Sequence, residues 1–115
     1  LIGRRCVIGP YTTICDGVTI GSMTYISRSI IMENTDISNH CSVFESILGS
    51  HCSLEPGVKL PAFNIYGGTI KVLIKDKMID SGRMYLGAIV GDEVKVRANT
   101  VIPPGTIIQP CTIVR

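Results

Sequence analysis

Lys95, Arg97 and Asn99 alternate along one short stretch of the chain, and alternation places side chains on one face of a strand. With Arg83 nearby in sequence, these residues form a set of cationic and amide donors. Such donors suit the phosphates of a coenzyme or a sugar phosphate, because guanidinium groups bind phosphate oxygens through paired hydrogen bonds. The competing assignment is a solvated outer face carrying ordinary surface charge. Asp92 directly follows Gly91, and a carboxylate in that setting bonds corner backbone amides rather than acting as a base. The histidines are His40 and His51, in the matching contexts Asn39-His40-Cys41-Ser42 and Ser50-His51-Cys52-Ser53. With no Cys/His ligand quartet beside them, the two imidazoles read as solvated corner residues, so no metal centre is expected. Residue types alone identify no general base.

Cysteine counting gives five: Cys6, Cys15, Cys41, Cys52 and Cys111. An odd number without a Cys-x-x-Cys pair argues against a disulfide framework and a zinc knuckle. They read as small buried hydrophobes in a reducing compartment, which points to the cytoplasm. Phe44 and Phe63 sit where a flat face could meet a partner.

Composition narrows the remaining classes. Of 115 residues, 45% are hydrophobic and 17% charged, which excludes intrinsic disorder. No run approaches the roughly 20 apolar residues of a membrane span. The net charge of +2 is scattered, leaving no basic footprint for nucleic acid. No targeting segment is visible, and Leu1 in place of a start methionine points to a piece of a longer protein. Aromatic residues are only 5%, so smaller side chains must fill the core.

Internal repetition shows which ones do so. Branched aliphatics recur every six positions through Ile2, Ile8, Ile14, Ile20 and Ile26. The series slips by one to Ile31, Ile37 and Val43, slips again to Leu48, Leu54 and Leu60, and resumes at Val90, Val96, Ile102, Ile108 and Val114. Period six matches neither a helix nor a simple alternating strand. Position five of the hexad carries small or β-branched residues, among them Cys6, Thr24, Thr35, Cys41, Cys52, Val58 and Thr112. Each hexad is therefore one short strand plus a turn, and three hexads close a triangular coil with the aliphatic side chain inside. Successive coils stack about 4.8 Å apart. Glycine at 3, 9, 21, 49 and 91 is expected to give the corners backbone freedom. The chain holds about five coils, 1–60 and 90–115, around a loop and β-hairpin insertion at 61–89. That insertion is signalled by Gly67-Gly68 and by Ile70–Lys75 and Lys77–Asp80 flanking Asp76.

The repeat resembles the left-handed parallel β-helix of hexapeptide-repeat proteins, and the left hand is carried over from that family. Residues Ile79 to Asp92, with Leu86-Gly87-Ala88-Ile89-Val90-Gly91-Asp92 at their end, followed by Lys95, Asn99 and Pro104-Gly105, are more specific. They resemble the C-terminal part of microbial, especially archaeal, sugar-1-phosphate nucleotidylyltransferases, including the bifunctional uridylyltransferase/acetyltransferase architecture. This likeness implies an all-β, homotrimeric domain that follows an upstream nucleotidyltransferase domain. No Gly-x-Gly-x-Arg phosphate loop occurs in this chain, so nucleotidyl transfer is expected outside it.

The same likeness implies a histidine as general base on the sugar amine, backed by a tyrosine. Those positions fall on Leu86 and Ile89, which cannot move a proton. Lys95 and Asn99 match the family's Lys-Thr-Gly-x-Asn pattern, whereas Val96-Arg97 replace Thr-Gly. Three functions stay open: a trimerising scaffold, an active N-acetyltransferase using acetyl-CoA on an amino-sugar 1-phosphate with a base from another residue or a neighbouring subunit, and a binder of a sugar nucleotide or regulator without chemistry.

Overall fold

The computed structural model describes residues 1–65 and 67–115. Its short strands collect into three parallel stacks that form the faces of a prism. The first face holds β1 (Val7–Ile8), β4 (Tyr25–Ser27), β7 (Ser42–Phe44) and β10 (Lys59–Leu60). The second holds β2 (Thr13–Ile14), β5 (Ile30–Ile31), β8 (Ile47–Leu48), β13 (Ile89–Val90) and β15 (Ile107–Ile108). The third holds β3 (Thr19–Ile20), β6 (Asp36–Ile37), β9 (Ser53–Leu54), β14 (Lys95–Val96) and β16 (Ile113–Val114). The chain visits the faces in this order and returns one layer higher, as a left-handed β-helix. Five coils follow one another, and Ile2, bridged to Ile20, opens a further partial layer, so the prism has about six turns.

The inward column is the core. Ile20, Ile26, Ile31, Ile37, Val43, Leu48, Leu54, Leu60, Val90 and Val96 are buried, each stacked on its counterpart in the next coil. Full burial of one such side chain contributes about 1.5–3 kcal/mol, so a ladder of them offsets the cost of ordering very short strands. Burial weakens toward the ends, where Ile8 is exposed and Ile14 and Val114 are half-buried. Position five lines the same interior. Its hydroxyls are satisfied by carbonyls of the corners: Thr24 Oγ1 donates to Ser38 O at 3.1 Å and Thr35 Oγ1 to Gly49 O at 2.7 Å.

The glycines at 3, 9, 21, 49 and 91 serve a different purpose from the one expected. None has a positive φ. They are required because the next coil leaves no room: a Cβ on Gly49 would lie 2.7 Å from the Gly91 carbonyl carbon and 2.8 Å from the Asp92 nitrogen. The left-handed conformation falls two residues later in the hexad. It is taken by Gly17, Gly57 and Gly105, but also by Tyr11, Met23, Asn34, His40, His51, Glu93, Asn99 and Cys111. Each corner not opened by the insertion therefore turns, among the described residues, on one αL residue, with asparagine and glycine the least strained occupants.

Between β10 and β13 the chain leaves the prism. The antiparallel hairpin β11 (Lys71–Ile74) and β12 (Lys77–Asp80) turns on two residues rather than on Asp76 alone. Lys75 and Asp76 both have positive φ, 48° and 65°, the combination that matches the twist of a two-residue hairpin turn. Ile70, at the hairpin base, is buried against Gly105 of the last coil. Residue 66 of the 61–89 insertion lies outside the described residues. Among the described residues no helix is long and apolar enough to cross a membrane.

Candidate functional site

Lys95 is the outward residue of β14, in the outward column Thr19, Asp36, Ser53, Lys95 of the third face, where Ser53 alone is half-buried. The strand ends at Val96, so Arg97 and Asn99 do not share its face but occupy the corner between the third and first faces. Arg97 Nε donates to Glu55 Oε1 at 3.3 Å, and the same oxygen accepts the Ala98 amide at 3.1 Å. Asn99 adopts φ 58° and its amide donates to Pro56 O. Its Oδ1 overhangs Gly57, where a Cβ would come within 2.1 Å, and Asn34 stands over Gly17 in the same way. The corner geometry thus already engages Arg97 and Asn99 in joining adjacent coils.

Arg83 lies elsewhere. It belongs to the insertion and reaches the edge between the first and second faces, with Nη2 3.6 Å from Glu45 Oε2 and Nε donating to Tyr85 O at 3.1 Å. The structure therefore leaves Lys95 on the third face, puts Arg97 and Asn99 in the corner that follows it, and places Arg83 on another edge.

That other edge has an unusual construction. Both slips of the repeat, Ile26 to Ile31 and Val43 to Leu48, fall on it, and one coil higher the corner opens into the insertion. The shortened corners are tied by serine hydroxyls. The Ser46 amide donates to Ser29 Oγ at 3.2 Å, and the Ala88 amide to Ser46 Oγ at 3.0 Å. The hydroxyls in turn donate to Ser27 O and Phe44 O at 2.8 Å. Outside this ladder sit Arg28 and Glu45, both with positive φ. Glu45, only 17% exposed, has Arg28 Nε 3.9 Å from one oxygen and Arg83 Nη2 near the other. Arg28 lies over the Tyr11 ring at 5.4 Å, and Tyr25 meets Phe44 edge-on at 5.2 Å.

Two depressions flank this cluster. One, of about 500 Å³, is lined by Phe44, Ala62, Phe63 and Tyr85, and the other, of about 290 Å³, by Tyr11, Ile30, Ile47, Arg83 and Leu86; Arg28 and Glu45 border both. Chemically, two guanidinium groups beside aromatic rings can hold a phosphorylated ligand by charge and stacking. Leu86, where the family resemblance calls for a histidine, offers only an aliphatic wall. Sequence reasoning did not assign Arg28 and Glu45 to a site. The available signal was that both slips of the repeat carry a charged residue two positions after the inward aliphatic.

The remaining candidates have structural placements. His40 and His51 are exposed αL corner residues on different edges of the prism. Asp92 Oδ1 accepts the Ser50 amide of the neighbouring coil at 2.8 Å. Cys41 and Cys52 are buried, and burial pushes both thiols above their ordinary range, while their Sγ–H groups meet Glu55 O and Gly91 O. Cys111 departs from the buried reading. It is an exposed corner residue whose thiol, hydrogen-bonded to the Glu93 carboxylate, is raised by that contact.

With this geometry in place, three comparisons align. Residues 1–114 match the family described as the GMPPB C-terminal domain. The bifunctional protein GlmU of Methanocaldococcus jannaschii is 33% identical over 103 residues, covering 90% of this chain and 25% of that protein. A bifunctional sugar-1-phosphate nucleotidylyltransferase/acetyltransferase of Sulfurisphaera tokodaii is 31% identical over 103 residues, again 90% of this chain and 26% of that protein. The chain thus spans about a quarter of the length of these relatives. Among solved structures, the polysialic acid O-acetyltransferase OatWY superposes with a TM-score of 0.55 over 97% of this chain and 59% of that one, at 19% identity, a likeness of fold. The match over nearly all its residues makes the chain a member of the GMPPB C-terminal domain family.

Proposed function

We propose that this chain is the trimer-forming, acyltransferase-like β-helix of a cytoplasmic sugar-1-phosphate nucleotidylyltransferase, whose nucleotidyl transfer resides in an upstream domain. The observation that carries this reading is Leu86 in the wall of the depression beside Arg83. An amine must lose a proton before it attacks a thioester, and an aliphatic side chain cannot take it. Loss of general-base catalysis typically costs 10²–10⁴-fold. Lys95 on the third face, Arg97 and Asn99 in the corner after it, and Arg83 on another edge remain candidate contacts for a sugar phosphate.

The second reading is an active N-acetyltransferase that takes acetyl-CoA as acyl donor to an amino-sugar 1-phosphate. It is favoured by the acetyltransferase activity in the name of the Sulfurisphaera relative. Thiol release from acetyl-CoA with glucosamine 1-phosphate or galactosamine 1-phosphate separates the two. The scaffold reading expects no release above the uncatalysed rate. Robust turnover that Lys95→Ala or Asn99→Ala abolishes would establish the acetyltransferase instead.

A further inference from the structure

We propose that the cleft at the root of the insertion, between Phe44, Phe63 and Tyr85, binds a nucleotide, with its base against the rings and its phosphates on Arg28 and Arg83. The inference goes beyond the scaffold and acetyltransferase readings, and its failure would leave both as they stand.

The rings are concentrated here. The chain has two phenylalanines and four tyrosines, and five of these six gather about the edge between the first and second faces. Phe44, Phe63 and Tyr85 line the cleft of about 500 Å³, Tyr25 braces Phe44 edge-on, and Tyr11 lies under Arg28. Phe63 and Tyr85 oppose each other in an antiparallel bridge, which puts both side chains on one side of the paired backbone. They stay 54% and 56% exposed, so packing of the core does not account for them. A cleft of this volume suits a small molecule, and neighbouring exposed rings offer the flat apolar surface on which a nucleobase stacks.

The charged groups beside the rings are held in place while their outer atoms stay open. Arg28 sits over the Tyr11 ring at 5.4 Å, a cation–π contact rather than a hydrogen bond. Arg83 is anchored through Nε, which donates to Tyr85 O at 3.1 Å. Both arginines stand beside Glu45 at 3.9 and 3.6 Å, beyond hydrogen-bond length. Their terminal nitrogens and the carboxylate oxygens are therefore available to a ligand. A nucleotide engages all of these groups: phosphate oxygens accept from the guanidinium groups, and ribose hydroxyls donate to the carboxylate. A sugar phosphate would leave the rings uncovered, and an uncharged apolar ligand would leave the arginines unanswered. Guanidinium groups already fixed in place lose less freedom on binding.

Isothermal titration calorimetry of the chain with guanosine, uridine and adenosine 5′-diphosphates tests this, with inorganic pyrophosphate as the probe that lacks a base. At least one nucleotide is expected to bind about tenfold more tightly than pyrophosphate, because stacking adds to the charge attraction. Phe63→Ala and Tyr85→Ala should each weaken the nucleotide about tenfold and leave pyrophosphate unchanged, whereas Arg28→Gln should weaken both. All three residues are exposed, so far-ultraviolet circular dichroism should stay that of the parent. Coenzyme A carries an adenosine diphosphate group of its own. Tighter binding of it than of adenosine 5′-diphosphate, lost in Phe63→Ala, upholds the site and assigns the nucleotide to the coenzyme; the reverse order upholds it for a free nucleotide or sugar nucleotide. Pyrophosphate as tight as the nucleotides, an affinity unmoved by both ring substitutions, or no nucleotide binding at millimolar concentration overturns the site.

Discussion

At the scale of single residues, tolerance of a side chain depends on hexad position more than on residue type. Gly49→Ala forces a Cβ into backbone of the adjacent coil and is expected to cost about 1–3 kcal/mol. Met23→Gly, at an exposed αL corner with φ 59°, should lie within about 0.5 kcal/mol of the parent or gain, because relief of backbone strain offsets the added chain entropy. Urea denaturation of both variants checks the order; equal losses would mean that the corners are not where the structure places them. The buried thiols add a pH signature. Cys41 and Cys52 have folded values raised by burial above the ordinary 9.0, so the folded state prefers the neutral thiol. Stability is therefore complete below that value and falls as alkaline pH ionises the unfolded chain. Thermal melts between neutral and alkaline pH should show this fall, and Cys41→Val should flatten it.

At the scale of elements, two-residue strands persist because each is clamped above and below while its aliphatic residue stacks inside. Ile37→Ala, at the centre of this column, is expected to cost about 2–5 kcal/mol. Ser46→Ala strands the buried Ala88 amide at the root of the insertion and should cost about 1–3 kcal/mol. Hydrogen exchange should show that loss concentrated at residues 87–89; a uniform loss over all coils would contradict the serine ladder. The coils were legible in the sequence because one side chain in six must be apolar and branched wherever three strands enclose a triangle. The hairpin was legible from the apolar runs on either side of Asp76. The Arg28–Glu45–Arg83 cluster was not, because Arg83 meets Glu45 only after the insertion folds back on the prism. The role of glycine was misread for a related reason: its constraint comes from the neighbouring coil, not from its own turn.

At the scale of the whole molecule, the proposed function makes this prism of stacked coils a scaffold that arranges larger subunits around an axis. The chain belongs to the GMPPB C-terminal domain family and spans about a quarter of its bifunctional nucleotidylyltransferase/acetyltransferase relatives. Association in solution decides whether the chain forms the proposed trimer. Static light scattering coupled to size exclusion measures it directly, at micromolar protein and physiological salt. The expected mass is three times that of the chain, unchanged on tenfold dilution. A mass of one chain, about 12.4 kDa for these 115 residues, would contradict it.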